Sequence, residues 1–132
     1  MPYLLDSSAV LAVLFGERGA DKVMPLLDQS SIHTIQIAEI IKKLKDRGVP
    51  DDTADRLIAE LAIPVMESFT AEEALRSRRY CLKGLSLGDR VCLLVADLAG
   101  LTAVTAEHRW KEAVDGNPSL AVRVMVIRAK TH

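Results

Sequence analysis

Aromatic residues are scarce in this chain, 4% of the sequence against 49% hydrophobic residues overall. Its core must therefore be aliphatic, packed from Leu, Val, Ile and Ala rather than from rings. Cysteine is nearly absent: only Cys81 and Cys92 occur, and their spacing fits neither a zinc ligand set nor a disulfide framework. Both fall in segments that read as helical and are expected to be reduced core residues. An excess of one charge sign is missing too, the formal net charge being −1. That excludes wholesale electrostatic coating of nucleic acid but leaves room for a local basic patch. No apolar run reaches the roughly 20 residues of a membrane span. The N-terminus lacks the basic region, apolar stretch and cleavage site of a secretory signal. The expectation is a soluble, cytoplasmic protein without membrane attachment.

What is present alternates strand with helix. At 132 residues the chain has the length of one domain with a full core, and residues 1–132 are expected to form a single unit. Apolar strand signals at Tyr3–Asp6, "SIHT", "IPVMES", "LTAVTA" and "LAVRVMVIR" are separated by helical stretches. In "IQIAEIIKKLKDRG", Ile37, Ile40, Ile41 and Leu44 recur at i, i+3, i+4 and i+7, and Gly48 stands where a helix ends. "GADKVMPLLD" predicts a helix, as does "TAEEALRSRRYCLKG", closed by Gly84, while "DRVCLLVADLAG" is apolar on nearly every face, as suits a central helix packed on several sides. Parallel neighbours need long crossovers, so this order predicts an α/β/α three-layer sandwich around a mostly parallel sheet. Functional residues of such sheets gather beyond the carboxyl ends of the strands.

Four acids stand out by position: Asp6 after the first strand, Glu39 within a helix, Asp89 opening the central helix, and Glu107 just after "AVT". Each also has a local explanation. Asp6 and Asp89 can cap helices, and Glu107 can favour a first helical turn. On a helical wheel Glu39 falls opposite the isoleucine stripe, within reach of Lys42 or Lys43, which favours a surface glutamate.

Four stretches, "LLDSSAVLAVL", "IQIAEIIKKL", "GLSLGDRVCLLVA" and "VTAEHRW", resemble in order the motifs of the PIN-domain ribonucleases, and specifically the VapC-type toxins of toxin–antitoxin pairs. The resemblance spans essentially the whole chain. It implies that Asp6, Glu39 and Asp89 belong to a metal site for Mg2+ or Mn2+, with Ser7 a polar neighbour. Three positions depart. Glu107 stands where the family usually has aspartate, keeping the charge on a longer arm as a fourth ligand. His33 and Gln36 stand where serine and asparagine usually precede the glutamate.

The chemistry suits these residue types. Carboxylates sharing a cleft raise one another's pKa, and a hard divalent cation that prefers oxygen ligands relieves the strain. Thr105 is placed to hydrogen-bond a bound water or the phosphate, or simply to end its strand. RNA must be drawn toward the acids, and Arg76, Arg79, Arg90 and Arg109 are the candidate contacts, with Arg78 and Lys83 on the same basic segment as Arg76 and Arg79. Trp110 is read as packing. The resemblance implies a metal-dependent endoribonuclease toxin, commonly a homodimer, restrained by a VapB-type antitoxin. A catalytically weakened PIN-like binding module is the alternative. A phosphotransferase using Asp6 as nucleophile fits less well, because Ser8 stands where an Asp-x-Asp motif would have its second acid.

Overall fold

Leu4 and Leu5, adjacent in the first strand, are both fully buried and belong to two different apolar clusters. Successive strand side chains point to opposite faces, so this strand is covered on both sides. The computed structural model describes residues 2–130. The strands are β1 (Tyr3–Leu5), β2 (Ser30–His33), β3 (Val65–Met66), β4 (Thr102–Thr105) and β5 (Arg123–Val126). They form one sheet in the order β3-β2-β1-β4-β5, with every neighbouring pair parallel. The expected α/β/α sandwich is what the chain forms.

The helices are α1 (Ser7–Phe15), α2 (Ala20–Val23), α3 (Thr34–Asp46), α4 (Asp51–Leu61), α5 (Ala71–Arg76), α6 (Leu87–Ala99) and α7 (His108–Asp115). Leu5 and Val104 pack with residues of α1, α2, α3 and α4 on one face. Leu4 and Ala103 pack with α6, Trp110 and Val114 on the other. The alternation Ala103/Val104 in β4 thus repeats that of Leu4/Leu5 in β1, its register partner. Helix α6 is buried at every position from Gly88 through Ala96 except Arg90, as its all-round apolar sequence predicts.

Three local expectations are corrected. The stretch after Gly19 is helical for only four residues before it tightens to a 3-10 turn over Met24–Gln29. Pro25 has no N–H to continue the α ladder. The basic segment is not one helix either: α5 stops at Arg76, a 3-10 turn covers Ser77–Tyr80, and Gly84 lies in the loop that follows. Cys81 therefore lies outside any helix and is exposed, with the Arg90 guanidinium 3.3 Å from its sulfur. Cys92 is buried as expected.

Candidate active site

The chain leaves β1 for β2 on one side and reaches β4 on the other, so the carboxyl ends of β1 and β4 flank the point where strand order reverses. Asp6 and Thr105 stand at those two ends. Asp6 has the extended backbone of an N-cap residue, but its carboxylate makes no capping bond to α1. Instead Oδ2 accepts hydrogen bonds from Ser8 Oγ at 2.5 Å and Thr105 Oγ1 at 2.8 Å. Both hydroxyls are tied down in turn: Ser8 Oγ accepts the Ala106 N–H at 2.9 Å and Thr105 Oγ1 the Glu107 N–H at 3.1 Å. No local pattern in the sequence gives Ser8 this role, which depends on β4 lying beside β1.

Glu39 is the residue whose spacing misleads. Lys42 pairs with Asp46 at 2.7 Å, and Glu39 turns to a second face of α3 that packs on the start of α6. A β-carbon on Gly88 would lie 2.6 Å from the Glu39 carboxyl carbon and 2.7 Å from Oε1. Only glycine leaves that space. Ser7 Oγ lies 3.4 Å from both Glu39 Oε1 and Asp6 Oδ1, with one proton to share.

Asp89 occupies the third position of α6, where it completes a capping box with Ser86: the Asp89 N–H donates to Ser86 Oγ at 3.2 Å and Asp89 Oδ2 accepts the Ser86 N–H at 2.9 Å. The cap is thus Ser86. The same Oδ2 receives Arg109 Nη2 at 3.2 Å.

The two departures in the second motif hold this arrangement together. Gln36 is fully buried; its Oε1 accepts the Ser7 N–H at 3.0 Å and its Nε2 donates to the Gly88 carbonyl at 2.9 Å. It thereby links the first turns of the helices that follow Asp6 and carry Asp89. His33 caps α3, its Nδ1 accepting the Ile35 N–H at 3.1 Å while Nε2 donates to the Ser68 carbonyl at 2.9 Å.

Burial pushes the Asp6 carboxyl above its ordinary pKa; the hydroxyls of Ser8 and Thr105 oppose the rise and the charge of Asp89 adds to it. Glu39 is also raised, first by desolvation and then by Asp6 and Asp89, with Ser7 and Lys43 working against the rise. The buried Cys92 thiol is held up by desolvation and by the same three acids. Asp6, Glu39 and Asp89 thus share one field.

Glu107 precedes α7 and its side chain caps nothing. Its backbone N–H reaches Asp6 through Thr105. Arg79 pairs with Asp97 at 3.1 Å, eight residues and about 12 Å along α6 from Asp89. Arg76 is exposed on α5 and Arg90 is half-buried beside Cys81. Trp110 is fully buried, so it packs rather than stacks on a base.

The donor chemistry fits a hard divalent cation: three carboxylates and adjacent hydroxyls, all oxygen, in a desolvated and mutually repelling group. Among the described residues, no three acidic, histidine or cysteine side chains are arranged to hold an ion in this conformation. The carboxylate oxygens are engaged by hydroxyls, the Ser86 N–H and Arg109 instead.

No curated protein matches the sequence. Solved structures share its fold. A toxin–antitoxin complex from Klebsiella pneumoniae aligns at TM-score 0.70 and 21% identity, over 97% of this chain and 99% of that one. DNA-bound VapBC from Salmonella typhimurium aligns at 0.68 and 15%, over 96% and 98%. PAE2754 from Pyrobaculum aerophilum aligns at 0.63 and 24%, over 94% and 83%. The PIN domain family model matches residues 3–115, a span that takes in Asp6, Glu39, Asp89, Glu107 and every strand but the last; the chain belongs to the PIN domain family.

Proposed function

We propose that this PIN domain is a metal-dependent endoribonuclease, the toxin of a VapBC-type pair, acting as one domain over residues 1–132. The observation that carries the reading is the shared field of Asp6, Glu39 and Asp89 at the carboxyl end of β1. Structural likeness to toxin–antitoxin complexes over nearly the whole chain supports the partner, a VapB-type antitoxin. The family resemblance supports a homodimer, and a cytoplasmic location is part of the same proposal. No helix among the described residues is long and apolar enough to cross a membrane.

In this reading Asp6, Glu39 and Asp89 hold Mg2+ or Mn2+, with Glu107 a peripheral fourth acid. When bound, the ion supplies charge neutralisation at the scissile phosphate and lowers the pKa of a water. The protein supplies position. Ser8 and Thr105 fix the Asp6 carboxylate, Gln36 and the glycine at 88 fix Glu39 against α6, and the Ser86 cap fixes Asp89. Arg109 sits nearest the acids to meet a phosphate, and Arg76, Arg79 and Arg90 offer cations further out.

The test is cleavage of structured RNA by the purified chain with Mg2+ or Mn2+, in wild type, Asp6→Asn and Asp89→Asn. Cleavage that stops with chelator and in both variants, leaving 5′-phosphate and 3′-hydroxyl ends, is expected. Cyclic 2′,3′-phosphate ends formed in excess chelator would sink the mechanism. One observation favours the second reading, a weakened binding module: the Asp89–Arg109 pair already neutralises one of the three acids. Folded wild type that binds antitoxin but cuts no RNA with either metal would select it.

A further inference from the structure

Arg109 is the only cation within ion-pair distance of the three acids among the described residues. Its Nη2 lies 3.2 Å from Asp89 Oδ2; the Asp89 side chain is 8% exposed and the Arg109 side chain 49%. One member of the pair is fixed and the other is free to leave. Asp89 is locked by its capping box with Ser86 and by its place in the buried helix α6. Arg109 is anchored only at its backbone, through α7 and the buried Trp110 beside it, while its head group reaches solvent. A half-exposed guanidinium on a long stem loses little by swinging away.

The other charges around the group do not substitute for it. Lys43 lowers the Glu39 pKa from one turn further along α3 but makes no ion pair with it among the described residues. Arg90 faces Cys81 and Arg79 faces Asp97. Three carboxylates with one contacting guanidinium leave an excess of negative charge, and a divalent cation held by Asp89 would compete with Arg109 for that carboxylate.

We infer that Arg109 is a two-position residue: it neutralises Asp89 while the acids lack a cation, and it turns to a substrate phosphate once a divalent cation takes Asp89. The inference rests on the metal-dependent reading above. It makes cation binding and RNA binding cooperative, since the ion that displaces Arg109 frees the guanidinium for the phosphate. It also makes Arg109 a brake on the cation-free protein, because the pair must be broken first.

Calorimetric titration with MnCl2 in the absence of RNA reads the first half. Arg109→Gln should bind Mn2+ about 1.5-fold to fivefold tighter than wild type, the range of a partly exposed ion pair, although its cation-free form melts lower. Fluorescence anisotropy with a short RNA at 4 °C reads the second half: Mn2+ should tighten RNA binding by wild type, and Arg109→Gln should lose most of that gain. Should Arg109→Gln fold poorly, nitrogen-15 NMR of wild-type arginine side chains replaces it. The Arg109 Nε signal should then move with Mg2+ and saturate with the binding isotherm. Unchanged or weaker Mn2+ binding in Arg109→Gln, or an Arg109 signal unmoved by Mg2+ that binds, overturns the inference and makes the pair a static structural contact. Absence of divalent binding in both wild type and Arg109→Gln would instead remove the metal-dependent reading and this inference with it.

Discussion

The carboxylate of Glu39 fills the space where a side chain on Gly88 would begin, its carboxyl carbon 2.6 Å from the position of that β-carbon. An acid on one helix is thereby set against the backbone of another. Gly88→Ala should push the flexible end of Glu39 out of that space, with stability changing by less than about 1 kcal/mol because the better helix propensity of alanine offsets the displacement. Chemical denaturation in chelator measures that change, and Mn2+ affinity should fall at the same time. A wild-type Mn2+ affinity would mean that Glu39 moves aside freely and that its position is not set by Gly88.

Stability without metal should decline as pH rises. The pKa of Asp6 and Glu39 is raised in the folded state, so the native protein holds protons that the unfolded chain has already lost. The stability these groups allow is fully present below the ordinary carboxylate range and is lost as pH climbs through their raised values. Asp6→Asn keeps an oxygen for Ser8 and Thr105 to bond and removes the charge. It should be more stable than wild type at neutral pH by about 0.5–2 kcal/mol, with the advantage vanishing at acidic pH. Denaturant melts at several pH values in chelator check both, and a pH-independent difference would contradict the linkage.

Gln36 tests the scaffold without touching an acid. Gln36→Met has similar length but leaves the Ser7 N–H and the Gly88 carbonyl without their buried partner. Each unsatisfied group costs about 1–3 kcal/mol, so a clear drop in melting temperature is expected. Cleavage per folded molecule should fall as well, because the residues after Asp6 and before Asp89 are no longer held in register. A destabilised variant with full activity per folded molecule would confine Gln36 to stability.

Glu107 should prove peripheral. Its carboxylate caps nothing, and the acids that raise Asp6 and Glu39 do not include it. Glu107→Ala should weaken metal binding less than Asp6→Ala. Magnesium demands near-ideal octahedral geometry, so Glu107→Asp should raise Mg2+-supported cleavage and narrow the gap to Mn2+. An unchanged ratio of the two metal-dependent rates would leave Glu107 as a helix-start acid and the site with three carboxylates.

Local pattern was enough for the layers. The period-3.6 stripe of α3, the all-round apolar α6 and the strand signals between them require helices on both faces of a parallel sheet. Pattern failed where the chain leaves regular structure. Pro25 converts helix to 3-10 turn, and the segment through Cys81 breaks after Arg76, so a thiol that reads as core is exposed. Those errors are of boundary, and boundary follows from side-chain competition that periodicity does not register.

By itself the sequence determined the alternation of elements, the aliphatic two-faced core and the placing of Asp6 and Thr105 at strand ends. Only the tertiary structure decided what these residues meet. Whether Asp6 caps a helix or takes the Thr105 hydroxyl depends on β4 pairing with β1 across 99 residues. Whether Glu39 is a surface acid or lies against Gly88 depends on α3 packing on α6, and whether Asp89 is bare or paired depends on α7 bringing Arg109 beside it. A helical wheel reports which face of one element is apolar; it carries no information on which second element closes over the polar face. That choice is made by the packing of the whole core, in which each contact is bought by burial elsewhere in the chain.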